Sequence, residues 1–187
     1  MTVIKTGIFL LLAALLAENA FAQELPADVL AAPAKRGSIG LGWGLPYGGL
    51  GINADVYFFD AAALTAGVGS FGRAAGFSVG GKYFHGSPNK TWRPQIALLY
   101  GVNKVLVIED EVAGDRTEAF RGFTVGLGSQ FMFGKAKKHG FDLDLLYIVS
   151  SGVFQRVEDL EQQGYQIGSI NRFTFSLGYR YALDFQL

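Results

Sequence analysis

Residues 172–187 read RFTFSLGYRYALDFQL and alternate strictly between two kinds of side chain. Every odd position from Phe173 to Leu187 is apolar or aromatic, and every even position from Arg172 to Gln186 is polar, charged or small. Because successive side chains of a strand point to opposite faces, this stretch predicts a β-strand with one wholly apolar face. Such a face must lie against a protein core or against lipid.

The first 22 residues have the pattern of a secretory signal. Lys5 supplies the positive start, 8–16 form a short apolar core, and Ala20 and Ala22 form a small-residue cleavage site. We therefore expect a cleaved signal peptide followed by a periplasmic lead-in over 23–36. The chain is predicted to be exported across the inner membrane of a bacterium.

Composition narrows the class of protein further. The 187 residues contain no cysteine, which excludes a lipid-anchored cysteine and a disulfide framework. The formal net charge is zero, so no basic footprint indicates nucleic acid. Beyond the signal, no stretch approaches the roughly 20 consecutive apolar residues of a spanning helix. If the protein spans a membrane, it must do so as a closed barrel, because lipid does not tolerate open sheet edges.

Seven further segments show a similar alternation, which makes eight predicted strands. Single-chain bacterial barrels have an even number of strands, short turns at the periplasmic end and longer extracellular loops. The predicted connections fit this rule, because the two longest, 105–120 and 152–171, fall on the same side. The turns 46–47 and 72–75 are expected on that side as well. The predicted strands are 37–45, 48–59, 62–70, 76–84, 94–104, 121–134, 140–151 and 172–187.

Aromatic residues on the apolar face gather near the two ends of the predicted strands, whereas the middle positions are mostly aliphatic. Amphipathic rings favour the two membrane–water interfaces, so this distribution is typical of a membrane barrel. The residues predicted to lie at the lipid interfaces are Trp43, Tyr83, Tyr100, Phe131, Phe133, Tyr147, Phe173, Tyr181 and Phe185.

With eight such strands, these turns and aromatic residues at both ends of the strands, the chain resembles the small eight-stranded outer-membrane barrels of the OmpA/OmpX type. The resemblance rests on architecture and assigns no subfamily. It implies an all-β, eight-stranded antiparallel up-and-down transmembrane β-barrel over 37–187, located in the bacterial outer membrane. The implied partners are outer-membrane lipid, lipopolysaccharide and, through the C-terminal strand, the barrel-assembly machinery. A monomer is expected.

Strand alternation points six charged side chains into the predicted lumen. An eight-stranded barrel is just wide enough for side chains to fill it, and buried charges persist when they are paired. We interpret the set as a structural salt-bridge plug, in which the two cations pair with the acids. The alternative is a proton or ion path. The residues are Asp55, Lys82, Asp142, Asp144, Arg180 and Asp184.

Many of the 26 glycines also fall on the inward face. They are predicted to give room to bulky luminal side chains such as Tyr57, Leu99, Gln130, Leu146 and Ile148. The alternative is a glycine-lined cavity that binds or passes a small apolar molecule. The inward glycines are Gly40, Gly42, Gly44, Gly51, Gly67, Gly69, Gly80, Gly101, Gly126, Gly128 and Gly178.

One short run bears on catalysis. Residues 85–89, His-Gly-Ser-Pro-Asn, resemble the His-x-Ser-Asn run of outer-membrane lipid A deacylases. However, the run lies in a predicted periplasmic turn, Pro88 interrupts it, and no carboxylate follows on the next strand to orient His85. We therefore expect a turn, no catalytic residue, no cofactor and no enzymatic activity. A lipid A-modifying enzyme is the remaining alternative.

Acidic residues concentrate in the two long loops. Their spacing matches no defined calcium loop, so we expect solvated loop tips and no metal site, with divalent cations as the alternative guests. Barrels often carry recognition on such loops. The sequence thus predicts a non-enzymatic protein with a structural or surface-recognition role through 105–120 and 152–171. The acids are Glu109, Asp110, Glu111, Asp115, Glu118, Glu158, Asp159 and Glu161.

Overall fold

The computed structural model describes residues 37–86, 90–108, 116–162 and 170–183, which form a closed barrel of eight antiparallel strands. Each strand pairs with its neighbours in the sequence, and β1 closes the barrel by pairing with β8. The predicted fold, an eight-stranded up-and-down barrel, is confirmed. The strands are β1 (Gly37–Gly44), β2 (Gly49–Phe59), β3 (Ala62–Ser70), β4 (Ala75–Phe84), β5 (Trp92–Ile108), β6 (Arg116–Phe133), β7 (His139–Ile148) and β8 (Phe173–Leu183).

The wall of the barrel separates apolar from polar side chains by strand alternation. Leu127 points outward and is 64% exposed, whereas Leu146, on the adjacent strand, points inward and is fully buried. Aromatic pairs line the outside, including Trp43 with Phe175 at 5.0 Å between ring centroids. The molecule therefore carries its largest apolar surface on the outside, which is the arrangement of a barrel surrounded by lipid.

The first connection differs from its prediction. Leu45 was expected at the outward end of β1, with an extracellular turn at 46–47. Instead Leu45–Tyr47 forms a short 3₁₀ turn, the luminal turn, and all three residues are buried inside the barrel. Gly44 and Gly48 flank the luminal turn with φ values of 122° and 67°, which side chains disfavour. These two glycines let the chain leave the wall and return to it.

The two long loops also differ from their predictions. Much of 105–120 is strand, because β5 and β6 continue as a hairpin in which Lys104 pairs with Phe120 and Ile108 pairs with Arg116. We call this hairpin, residues 104–108 and 116–120, the extension. The other loop contains the helix α1 (Val153–Gln162). No helix in the described part of the chain has the length and apolarity to cross a membrane.

Several sequence predictions fall outside the described residues. These are the signal peptide and lead-in over 1–36, Ser87, Pro88 and Asn89 of the histidine run, the acids Glu109, Asp110, Glu111 and Asp115, and the end of the C-terminal strand with Asp184 and Phe185.

Candidate functional site

Arg180 is the centre of a charge network in the middle of the lumen. It lies on β8, is fully buried, and its Nε donates a hydrogen bond to Asp142. Its Nη1 donates to Asp55 and, at 2.7 Å, to Ser38 Oγ, while Nη2 donates to Asn53 Oδ1 at 2.9 Å. All three guanidinium nitrogens thus have partners, which a buried charge requires.

Lys82 supplies the second positive charge of this network. Its Nζ lies 3.2 Å from Asp55 Oδ2 and 4.0 Å from Asp142 Oδ2, and all three side chains are buried. Two cations therefore face two carboxylates. The structure places these charges where the sequence predicted them, and their mutual pairing satisfies groups that would be costly alone.

Asp144 is buried nearby but is held by neutral groups. Gln95 Nε2 donates to its Oδ1, and Ser176 Oγ donates to its Oδ2 at 2.9 Å. The sequence interpretation grouped Asp144 with Lys82 and Arg180, and it overlooked Gln95 and Ser176. Both lie on inward positions of their strands, so alternation could have identified them.

Arg93 closes the end of the lumen at the turn between β2 and β3. Its Nη2 donates to the Asp60 carbonyl oxygen, its Nη1 donates to Gln130 Oε1 at 3.3 Å, and its guanidinium lies 4.5 Å from the centre of the Phe84 ring. A cavity with room for about one water molecule lies beside it, next to Tyr57. Arg93 was not predicted as a luminal residue because 85–93 was expected to form a turn, whereas β5 begins at Trp92.

The luminal turn fills the space above the charge network. The Pro46 carbonyl accepts hydrogen bonds from Asn53 Nδ2 at 3.0 Å and from Ser78 Oγ at 2.9 Å. A Cβ built on Gly42 would lie 2.7 Å from Tyr47 Cε2, and one on Gly178 would overlap the Tyr47 hydroxyl. At these positions glycine makes room for the luminal turn, and not for the side chains named from the sequence.

Above the luminal turn the lumen becomes apolar and is capped by α1. Phe154, from the first turn of α1, packs against a buried cluster together with Phe71. Val153 and Leu160 of α1 are buried as well. The end of the barrel that carries α1 is therefore closed by packed side chains. The cluster consists of Leu45, Ala97, Leu99, Leu146 and Ile148.

Two arginines hold this cap in place. Arg156 of α1 donates from Nε and Nη2 to Glu118 of the extension, at 2.9 and 2.8 Å. These hydrogen bonds and the Arg156 charge hold the pKa of Glu118 below its usual range. Arg172 lies over Phe154, with its guanidinium carbon 3.9 Å from the ring centre. Glu118 was predicted to be a solvated loop acid, but in the structure it binds Arg156 and so helps to hold α1 in place.

Among the residues that the structure describes, no group of three or more histidines, cysteines or acids could hold a metal ion. His85 begins the turn after β4, and its predicted serine partner is not described. His139 lies on the outside of the barrel, where Nδ1 shares a hydrogen bond with the Tyr179 hydroxyl. Nothing in the described structure therefore joins either histidine to a catalytic arrangement.

The residues predicted for the lipid interfaces lie on the outer wall. Tyr147 and Tyr181 are half-buried, whereas the other described members are exposed. Neighbouring rings pair at both ends of the barrel, for example Tyr100 with Phe123 at 5.1 Å and Phe133 with Phe141 at 5.6 Å. The exposed members are Trp43, Tyr83, Tyr100, Phe131, Phe133 and Phe173.

Comparison with known proteins finds a relative in fold alone. No protein-family model matches the sequence, and no curated protein matches it. The N-terminal β-barrel domain of Pseudomonas aeruginosa OprF is similar in structure, with a TM-score of 0.50 and 13% sequence identity. The match covers 80% of this chain and 98% of that domain.

This likeness and the closed apolar-walled barrel define a class. The chain has the fold of the small eight-stranded transmembrane β-barrels of the outer membrane. Within that class, the OprF barrel domain is a structural neighbour, and the identity is too low to transfer any activity.

Proposed function

We propose that the chain is a non-enzymatic outer-membrane protein whose barrel is closed to ions and serves to anchor and present an extracellular surface. One observation carries this proposal: packed groups fill the lumen from end to end. Arg93 and Phe84 fill the periplasmic end, Arg180 the middle, and the luminal turn and α1 the extracellular end. Filling by side chains is usual at this barrel size.

The outer-membrane location rests on the outer wall and on the fold. A wall of exposed aliphatic side chains flanked by aromatic residues suits a bilayer, and the N-terminal β-barrel domain of OprF is similar in structure. The predicted signal peptide adds support from the sequence.

The extension is the surface best placed for recognition. Val107 on its outer face is 44% exposed, while Ile108 on its inner face is buried. The extension is held upright because α1 lies against β5 and because Arg156 joins it to Glu118. A rigid, partly apolar hairpin standing above the membrane can contact another molecule without closing or opening the barrel.

Location and orientation can be tested with single cysteines, because the chain has none of its own. Val107→Cys on the extension should react with a membrane-impermeant maleimide on intact cells. The matched variant Lys90→Cys, in a turn at the opposite rim, should react only after the outer membrane is permeabilised. Labelling of both, or of Lys90→Cys alone, on intact cells would contradict the proposed orientation.

Closure of the barrel can be tested in the same material. The unboiled protein from outer-membrane fractions should migrate faster on a gel than the boiled protein, as a folded barrel does. In planar bilayers the folded protein should give no steady ion conductance. A soluble periplasmic protein without a heat-dependent shift would overturn the membrane location, and a steady open channel would overturn the closed lumen.

A further inference from the structure

Asp144 belongs to a row of four luminal residues that runs across the wall of the barrel from β5 to β8. Gln95 on β5 lies opposite Gly128 on β6. Asp144 on β7 lies opposite Gly128 on one side and opposite Ser176 of β8 on the other. The three side chains of this row are buried, and a Cβ built on Gly128 would overlap Asp144 Oδ1. Gly128 therefore leaves the space that the carboxyl group occupies, and we call the four residues the carboxyl row.

The two cations of the charge network are bound to other carboxylates. Lys82 lies 3.2 Å from Asp55 and 4.0 Å from Asp142. Arg180 donates hydrogen bonds to the same two carboxylates. Within the described residues, no lysine or arginine forms a salt bridge with Asp144. An ionised Asp144 would thus be a buried charge without an opposite charge in contact, which is costly, whereas a neutral acid avoids that cost.

The hydrogen bonds of the carboxyl row are one donor short. Gln95 Nε2 donates to Asp144 Oδ1, and Ser176 Oγ lies 2.9 Å from Asp144 Oδ2. Gln95 Oε1 is buried, and no described group donates to it. A carboxylic acid brings a donor of its own, because its O–H can donate to Ser176 Oγ while Oδ1 still accepts from Gln95. The hydroxyl of Ser176 can take either role, so the heavy atoms need not move.

The other charged or titratable groups that face this part of the lumen do not supply the missing charge. Arg93 is turned towards the end of the lumen, where it donates to Gln130 and to the Asp60 carbonyl oxygen. The carboxylate of Asp142 is a like charge two positions along the same strand, and two neighbouring carboxylates resist ionising together. The groups are Asp142 on β7, Lys82 on β4, Arg180 on β8, Asp55 on β2, Arg93 on β5 and Tyr47 in the luminal turn.

From this arrangement we infer that Asp144 is a proton-binding site, in which the closed barrel holds one proton between Asp144 and Ser176 at neutral pH. A proton fits better than a metal ion, because it needs no added space and Gly128 leaves none beside Oδ1. In the unfolded chain the same carboxyl group is in water and is ionised at neutral pH. Closing the barrel therefore takes up one proton. The inference goes beyond the proposed function, which does not depend on the charge of Asp144.

Two identical substitutions on one strand test the charge state. In Asp144→Asn the amide can accept from Gln95 and donate to Ser176, as a neutral acid does, so urea titration of the gel shift at neutral pH should give nearly the same midpoint as the unchanged protein. Asp142→Asn is the matched control, and it should unfold at a clearly lower urea concentration because Arg180 and Lys82 lose a charged partner. Equal losses in both variants would contradict the proton site.

Infrared spectroscopy observes the proton directly. The full-length barrel, folded in a detergent without ester groups, should show the C=O stretch of a protonated carboxyl group at neutral pH, which ionised carboxylates lack. Asp144→Asn should remove this band. Glu158→Gln, which removes an exposed acid of α1, should leave it. Absence of the band in a barrel that shows its heat-dependent gel shift, or its persistence in Asp144→Asn, would overturn the proton site and leave the proposed function standing.

Proton uptake should also appear in the pH dependence of folding. The folded state binds one more proton than the unfolded chain, so the folding equilibrium constant should fall as the pH rises. Relative to Asp144→Asn, the unchanged protein should lose about tenfold in this constant per pH unit over the neutral range. The comparison cancels the other titrating groups, which both proteins share. A ratio that does not change with pH would overturn the inference.

Discussion

The lumen is filled differently in its lower half, towards Arg93, and in its upper half, towards α1. In the lower half, side chains from the strands meet in a network of charges around Arg180. In the upper half, the main chain itself enters as the luminal turn, and α1 closes the mouth. The lower half depends on partners for each charge, whereas the upper half depends on glycines that leave space. The two halves should therefore respond to different substitutions.

The largest expected effect comes from removing the centre of the lower half. Arg180→Ala leaves Asp55 and Asp142 buried without their main partner, so the free energy of unfolding should fall by about 3–5 kcal/mol. Urea titration of the gel shift would measure it. Bilayer conductance should stay unchanged, because the luminal turn still fills the upper half. Arg180→Lys keeps the charge but loses hydrogen bonds, so its free energy of unfolding should lie between those of the unchanged protein and Arg180→Ala.

A smaller loss of stability is expected from a substitution in the upper half. Gly178→Ala places a Cβ against the Tyr47 ring, and such overpacking costs about 1–3 kcal/mol. In a Tyr47→Ala background, Gly178→Ala should cost less, because the overlapping atoms are gone. Gly81→Ala is the matched control, since its Cβ would meet its nearest neighbour at 3.8 Å. Strict additivity of the Gly178 and Tyr47 changes in urea titrations would argue against their contact.

Loosening the cap at one point should have little effect on the stability of the barrel. Arg156→Gln removes a half-exposed ion pair with Glu118, which contributes less than about 1 kcal/mol. Proteolytic cleavage within α1 should nevertheless become faster, because the helix loses its link to the extension. Gln155→Ala, on an exposed neighbouring position, should leave cleavage unchanged. A large drop in barrel stability would show that the cap is part of the core.

The weakest expected effect is a pH dependence of the cap. Arg156 holds the pKa of Glu118 below its usual range, so the ionised form favours the docked helix. This contribution is complete above the ordinary carboxyl pKa and is lost as the pH falls through the lowered pKa. Cleavage within α1 should accelerate over that acidic window. Glu118→Gln should not show this acceleration. The same acceleration in that variant would mean that other acids cause it.

Strand alternation predicted the lower half well but not the upper half. Asp55, Lys82 and Asp142 lie inward because alternation is a local property of a regular strand. The same argument placed Leu45 outward, which is wrong because the chain leaves the wall at Gly44. Alternation fixes a direction only while the strand continues, and it cannot identify which residues of other strands meet inside.

The extension was missed for a related reason. The pairing of β5 with β6 shifts register between Val102 and Lys104, and such a bulge reverses which positions point inward. Read without the bulge, the alternation of β5 ends at Lys104, and the remainder looks like a loop. The helix α1 was missed because the acids that follow its apolar residues are equally typical of a solvated loop.

The position of Arg180 on the last strand has a consequence for the order of folding. Its partner Asp55 lies 125 residues earlier on β2, and its partner Ser38 lies 142 residues earlier on β1. β8 also forms the final seam with β1. The Asp142 partner lies on β7, beside β8, but until the seam forms the carboxylate of Asp55 lacks the Arg180 guanidinium. Closure of the sheet therefore completes the neutralisation of its interior, and an unclosed sheet should stay in contact with water.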